Sequence, residues 1–278
     1  MKRFIFIATV MLSAVAMVSC GKDDNAKKKD AVEDDKAYEI DMGHPKPSKT
    51  ISSNMVGEID GTDWQYEQWY EGGNSAMTVW SNGTFKATWN NSMSYLGHVG
   101  YYYSSASAVS HTDKNFAADY NYVKSGSGGQ YNYIGAYGWT VQPLVEWYII
   151  DDWFGNEPAI PKWYKKLGSI DVDGSEYTIY VSGKVQQPAL TGKADFVQVW
   201  SVRKTNRQKG HMSLQSHFKL FDSLLHGQSE HIPIAENYNT SFTLKWGKLV
   251  EVSLGLEVDG SASGTIEYNH FNITDNQQ

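Results

Sequence analysis

Glu146 and Glu257 each stand in a stretch of alternating hydrophobicity, where a half-buried strand would otherwise carry a neutral side chain. Around the first, the chain reads Tyr137-Gly138-Trp139-Thr140-Val141-Gln142-Pro143-Leu144-Val145-Glu146-Trp147-Tyr148. Around the second it reads Glu257-Val258-Asp259-Gly260-Ser261-Ala262-Ser263-Gly264. Alternation puts Leu144, Glu146 and Tyr148 on one face and Val145, Trp147 and Ile149 on the other. In residues 248–259 it puts Val250, Val252, Leu254, Leu256 and Val258 on an apolar face, with Glu251, Ser253, Gly255, Glu257 and Asp259 opposite. Two carboxyl groups facing each other across an aromatic cleft can hydrolyse a glycosidic bond. Taken alone, two glutamates on sheet faces are more often plain surface charge.

The elements that must position them follow the period of strands. Turn signals recur between the alternating runs: Ser81-Asn82-Gly83, Asp173-Gly174 and Asp259-Gly260. The expected architecture from residue 56 onward is one all-β sandwich, with no internal repeat and no second linker. One helix interrupts it, where His217, Leu220, Phe221, Leu224 and Leu225 form a stripe at helical spacing that ends at His226-Gly227. His217 reads as a buried structural histidine.

Other chemistries find little support. The formal net charge is −7, so the chain lacks the basic footprint of nucleic-acid binding. There is no Gly-x-Ser-x-Gly elbow and no zinc-ligand spacing. Ser125-Gly126-Ser127-Gly128-Gly129 is not followed by the Lys-Ser/Thr of a phosphate loop. No metal and no cofactor are expected. The chain carries 10 Trp and 18 Tyr, whose flat apolar faces and polar edges suit sugar rings as well as sandwich cores.

Met1-Lys2-Arg3, an apolar run through Met17 and Val18-Ser19-Cys20 read as a secretory signal, since the run is too short to span a membrane. It resembles a bacterial lipoprotein signal, which implies lipidation of Cys20. The following Gly21-Lys22-Asp23-Asp24 resembles the surface-export tags of Bacteroidetes lipoproteins. Residues 21–55 are polar and Pro-containing, and read as a disordered tether. The expected divisions are therefore 1–20, 21–55 and 56–278. The expected location is the outer membrane, facing outward, with lipid as the only membrane contact; the alternative is a secreted or periplasmic protein.

Tyr137-Gly138-Trp139-Thr140, then Pro143-Leu144-Val145-Glu146, then an aromatic and Tyr148, resemble the nucleophile strand of glycoside hydrolase family 11, the endo-1,4-β-xylanases. The resemblance extends from about Trp64 to the C-terminus. It implies a β-jelly-roll of two twisted antiparallel sheets with one α-helix, curled around a long cleft. It also implies a monomer that cleaves xylan and xylo-oligosaccharides with retention. By the same resemblance Glu146 is the nucleophile and Glu257 the acid/base. Tyr137 and Tyr148 touch the nucleophile, and Trp69 stacks on the second sugar of the non-reducing side. Gln198, in Phe196-Val197-Gln198-Val199-Trp200-Ser201-Val202-Arg203, reaches the cleft, while Arg203 holds structure. Trp139 could serve cleft or core. Pro188, in Gln187-Pro188-Ala189-Leu190-Thr191-Gly192, lies at the tip of an overhanging thumb hairpin.

The chain departs from the family pattern at several points. Lys184 stands where the family has arginine, so a bidentate contact is lost there. Counting from Trp89, Ser94 takes the place of the Asn or Asp that partners the acid/base. Val258-Asp259 follows Glu257 where the family has Gly-Tyr. Residues 101–130 are longer and richer in Ser and Gly than expected, as a loop on the cleft edge would be. Two other readings of the chain are a non-catalytic carbohydrate-binding lipoprotein on the same sandwich and a β-glucanase on a related jelly roll.

Overall fold

The computed structural model describes residues 36–190, 192–233 and 239–277. Cys20, the leader and the start of the expected tether lie outside them. The strands in chain order are β1 (Ser48–Ile51), β2 (Met55–Glu58), β3 (Gln65–Glu71), β4 (Asn74–Trp80), β5 (Phe85–Tyr102), β6 (Lys114–Gly126), β7 (Asn132–Val141) and β8 (Val145–Asp152). They continue as β9 (Lys165–Val172), β10 (Ser175–Ala189), β11 (Gly192–Arg203), β12 (Lys209–Met212), β13 (His226–Pro233), β14 (Asn239–Lys245), β15 (Lys248–Leu249) and β16 (Glu251–Gln277). The helix α1 (Leu214–Leu224) falls between β12 and β13, as expected.

Two long strands make the sandwich by passing from one layer to the other. Residues 85–90 of β5 pair with β4, and residues 94–100 pair with β3. Between them Asn91 turns the backbone at φ 52, a left-handed conformation that asparagine tolerates. β16 does the same in reverse: residues 253–258 pair with β7, and residues 264–277 with β6. Its crossing lies at register shifts between Asp259 and Gly264, with Gly260 at φ 91. Asp259-Gly260, expected as a turn between strands, is therefore a bulge inside one strand, because the ladder resumes on the far side. The inner layer runs β2-β3-β5-β16-β7-β8-β11-β10-β9 and the outer layer β1-β4-β5-β16-β6-β12. Among the described residues ladder pairing is antiparallel except between β8 and β11, which lie parallel with Glu146 beside Gln198.

The alternation read from the sequence sorts side chains as expected except at Val250, which precedes β16 and joins the opposite cluster from Val252. Trp147, Ile149, Val252, Leu254, Leu256 and Val258 join the core between the layers. The other face of the inner layer carries a second, mostly aromatic cluster that includes Tyr133, Tyr137, Trp139, Tyr148, Phe196 and Trp200. β8 is consequently buried on both faces. On α1, His217, Phe218 and Phe221 are buried, while Leu220 and Leu224 lie half-buried at the margin. His217 is structural: its Nδ1 lies 3.0 Å from Ser201 Oγ, and burial pushes it down to about 4.

Two sequence-based expectations need correction. The tether does not extend to residue 55, because Ser48–Ile51 forms β1 against β4 and the described chain from Lys36 onward belongs to the folded unit. Lysines and serines hid this, since an edge strand buries only Ile51. Nor is 101–130 a single loop: Lys114–Gly126 is β6, in the outer layer between β12 and β16, while in 103–113 the His111 carbonyl accepts from Gln215 Nε2 of α1 at 2.6 Å and Ala108 packs against the aromatic cluster.

Candidate active site

Four neighbouring strands of the inner layer bring the predicted residues together. The β7–β8 hairpin sets Trp139 opposite Glu146 and Tyr137 opposite Tyr148. β16 lies on the other side of β7, with Ser253 opposite Tyr137 and Glu257 opposite Tyr133. β11 adds Gln198 beside Glu146 and Trp200 beside Tyr148.

Glu146 is 8% exposed and its carboxylate is fully engaged. Tyr137 donates to Oε1 at 3.0 Å, and Tyr148 donates to the same oxygen at 3.1 Å. Gln198 Nε2 donates to Oε2, and its own Oε1 accepts from the Tyr164 hydroxyl. Trp139 Nε1 donates to the Tyr137 hydroxyl at 2.6 Å, which fixes the direction of that phenol and gives Trp139 a place in the cleft. The Tyr148 hydroxyl also lies 2.8 Å from Glu257 Oε2. One phenol therefore bridges the two carboxyl groups. Its 3.1 and 2.8 Å contacts, even laid end to end, fall short of the ~6.5 Å at which an inverting pair begins.

The two acids do not titrate alike. Burial raises Glu146 above the ordinary carboxyl value, but Gln198, the Lys184 ammonium, Tyr137 and Tyr148 all oppose the rise by stabilising its charged form. Burial, and then the charge of Glu146, pushes Glu257 up to about 7. Like charges this close cannot both form easily, so Glu257 is the one that keeps its proton. Lys184 is half-buried, 5.7 Å from the centre of the Tyr164 ring, and its charge acts on both glutamates.

Trp69 and Pro188 belong to the walls. Trp69 lies opposite Leu96, and Leu96 lies opposite Glu257, so one row of side chains crosses β3, β5 and β16. Pro188 pairs with Lys193 in the β10–β11 hairpin, and Ala189 next to it packs on the aromatic cluster. Ser94 lies opposite Asp259, not opposite Glu257. Arg203 serves structure, with Nε donating to Tyr177 Oη at 3.1 Å.

Several cleft residues escaped the sequence reading. Tyr133 and Trp200 share a face with Tyr137 and Gln198 by simple alternation, and extending the count would have found them. Tyr164 comes from the irregular segment after β8, where no period exists to follow. His98 stacks on Tyr137 with ring centroids 4.4 Å apart. It is 1% exposed, and burial pushes it down to about 3. Beside it the floor must be bare: a Cβ on Gly255 would stand 2.0 Å from the Gly97 carbonyl oxygen and 2.3 Å from the His98 ring.

A cleft-bearing β-sandwich with paired, unequally protonated carboxyl groups defines a glycoside hydrolase. The chain belongs to glycosyl hydrolases family 11, whose model matches residues 62–246. It is 38% identical over 241 residues to endo-1,4-beta-xylanase C of Fibrobacter succinogenes, covering 84% of this chain but 36% of that protein. It is 37% identical over 201 residues to endo-1,4-beta-xylanase A of Bacillus pumilus, covering 72% of this chain and 82% of the relative. Among solved structures, wild-type ENZbleach xylanase superposes with a TM-score of 0.69 at 27% identity, covering 86% of this chain and 90% of that one.

Proposed function

We propose that this chain is an endo-acting xylanase that hydrolyses β-1,4-xylosidic bonds in xylan with retention. The observation that carries the reading is the Tyr148 phenol within hydrogen-bonding distance of both Glu146 and Glu257. Carboxyl groups held that close leave no room for a water between them, so one must attack carbon directly. Glu146 is the nucleophile: four polar neighbours favour its charged form. Its carboxylate attacks the anomeric carbon while Glu257 gives its proton to the leaving glycosidic oxygen. The resulting ester neutralises Glu146. Glu257 then loses the like charge that helped raise it, becomes the stronger acid and stays ionised long enough to take a proton from water. That water attacks the anomeric carbon from the side the leaving group vacated, opposite Glu146; the bond to Glu146 breaks, and both glutamates return to their starting forms. Trp69 and the β10–β11 hairpin hold the polymer along the cleft, and Lys184 and Gln198 support the charge on Glu146.

The relatives named xylanases support xylan as the substrate. Reducing sugar released from arabinoxylan but not from cellulose is the expected outcome. Glu146→Gln should lower that rate by several powers of ten while leaving the fold intact, each tenfold costing ~1.4 kcal/mol of barrier. Wild-type-like turnover in this variant, or release from cellulose instead, refutes the proposal. A carbohydrate-binding protein without activity would release sugar from neither polymer.

We further propose that the protein is a monomeric lipoprotein held to the outer membrane through Cys20 and displayed outward. The support is the leader ending in Cys20 and the Lys22-Asp23-Asp24 run that follows it. Acyl chains contribute about 0.8 kcal/mol per buried methylene, so two or three anchor a protein permanently. Cys20→Ala should move the protein from the membrane fraction to the soluble fraction, and an unchanged membrane fraction rules the anchor out.

A further inference from the structure

Two carboxyl groups in the cleft take no part in the reaction above. Glu67 lies two residues before Trp69 on β3, hence on the same face, while Tyr66 and Gln68 turn inward and are buried. Its cross-strand neighbours are Val56 on β2 and His98 on β5. Val56 is 53% exposed and Trp69 42%. Two apolar surfaces thus flank one acidic side chain at the β2–β3 end of the cleft.

Glu251 stands behind it, 2% exposed. Burial and then the charge of Glu67 raise Glu251 well above the ordinary carboxyl value, so it stays neutral. Burial raises Glu67 as well, but it is the half-buried member and its contact with Tyr102 opposes the rise, so it is the first of the pair to take the negative charge. Tyr102 donates to Glu67 Oε2 at 3.4 Å. Among the described residues no donor reaches the other oxygen, Oε1. Glu67 is only half-buried, so water reaches this oxygen, and a ligand hydroxyl that donates to it takes the water's place.

A xylose residue in a β-1,4 chain offers equatorial hydroxyl donors at its rim and apolar C–H faces. We infer that Glu67 is a specificity-determining residue: its Oε1 accepts from the hydroxyls of a xylose seated beside Trp69 and Val56, and its charge turns away a xylose that carries a uronic acid branch there. The assignment rests on the xylanase reading. It differs from the catalytic roles in being felt only by substrates long enough to reach β2–β3.

Two variants separate the hydrogen bond from the charge. Glu67→Ala removes both. Glu67→Gln keeps an acceptor oxygen and the side-chain shape but removes the charge. On unbranched xylohexaose, Glu67→Ala should raise KM about tenfold with little change in kcat, the worth of one charge-assisted hydrogen bond. Glu67→Gln should raise it less. On an aryl β-xyloside, which places one sugar at the glutamates and none beside Trp69, neither variant should differ from wild type by more than about twofold. With glucuronic-acid-branched xylan, both variants should release branched products that wild type leaves uncut, visible by mass spectrometry. Equal losses at every chain length, or wild-type KM and wild-type branch tolerance in both variants, overturn the assignment. A wild-type protein idle on all xylans would instead overturn the xylanase reading.

Discussion

Removing the charge of Glu146 should make Glu257 a stronger acid. Glu257 is lifted from the ordinary 4.5 to about 7, first by burial and second by Glu146. Two unit charges ~5.5 Å apart at an effective dielectric of ~20 repel by about 3 kcal/mol. That is equivalent to about two in pKa. It is a ceiling here, because burial is the larger cause and because Tyr148 and Lys184 pull the other way. In Glu146→Gln the pKa of Glu257 should therefore fall by about one to two, leaving the share due to burial. The variant also uncouples the pair, so the remaining titration belongs to Glu257 alone. The assay is a carbon-13 NMR titration of the glutamate side-chain carboxyl groups in wild type and variant. A Glu257 that still titrates within about 0.3 of its wild-type value would show that the two carboxyl groups do not sense each other. The proton cycling proposed for Glu257 would then lack its cause.

Two further outcomes concern stability. The folded chain holds a proton on Glu257 that the unfolded chain loses near 4.5, so stability falls as pH rises from 4.5 to about 7 and the penalty is complete above that. Glu257→Gln should thus stabilise the protein at pH 8 by up to about 3 kcal/mol and leave it little changed at pH 4. Urea unfolding checks this, and equal midpoints for wild type and variant at pH 8 contradict it. Elsewhere, Asp151 is fully buried, with Arg207 Nε at 2.7 Å and the Tyr177 hydroxyl at 2.6 Å. Arg207→Ala leaves that carboxylate without its cation and should cost about 3–5 kcal/mol, read from the same unfolding curves.

The cleft was legible where strands alternate and obscure where they do not. Glu146, Tyr148, Glu257 and Gln198 sit on strands whose partners face a core, so period and neighbouring residues fixed their side. Tyr164 could not be found this way, because it enters from an irregular segment and meets Gln198 only through tertiary packing. Asp259-Gly260 looked like a hairpin turn because local residue type does not reveal that a ladder resumes beyond a bulge. Residues 48–51 looked like tether because an edge strand needs few apolar side chains. The parallel pairing of β8 with β11 left no local signal, since register between distant strands depends on the whole sheet. Glu251 was visible only as a polar-face residue, and its pairing with Glu67 through His98 and Tyr102 is a product of three strands meeting.

The central claim is that Glu146 and Glu257 stand too close to admit a water, so that hydrolysis proceeds through an ester on Glu146. Proton NMR of the sugar released in the first moments of xylohexaose hydrolysis tests it most directly, before the anomers equilibrate. The account predicts the β-anomer as the first product. First appearance of the α-anomer would mean a single displacement by water, and would contradict it.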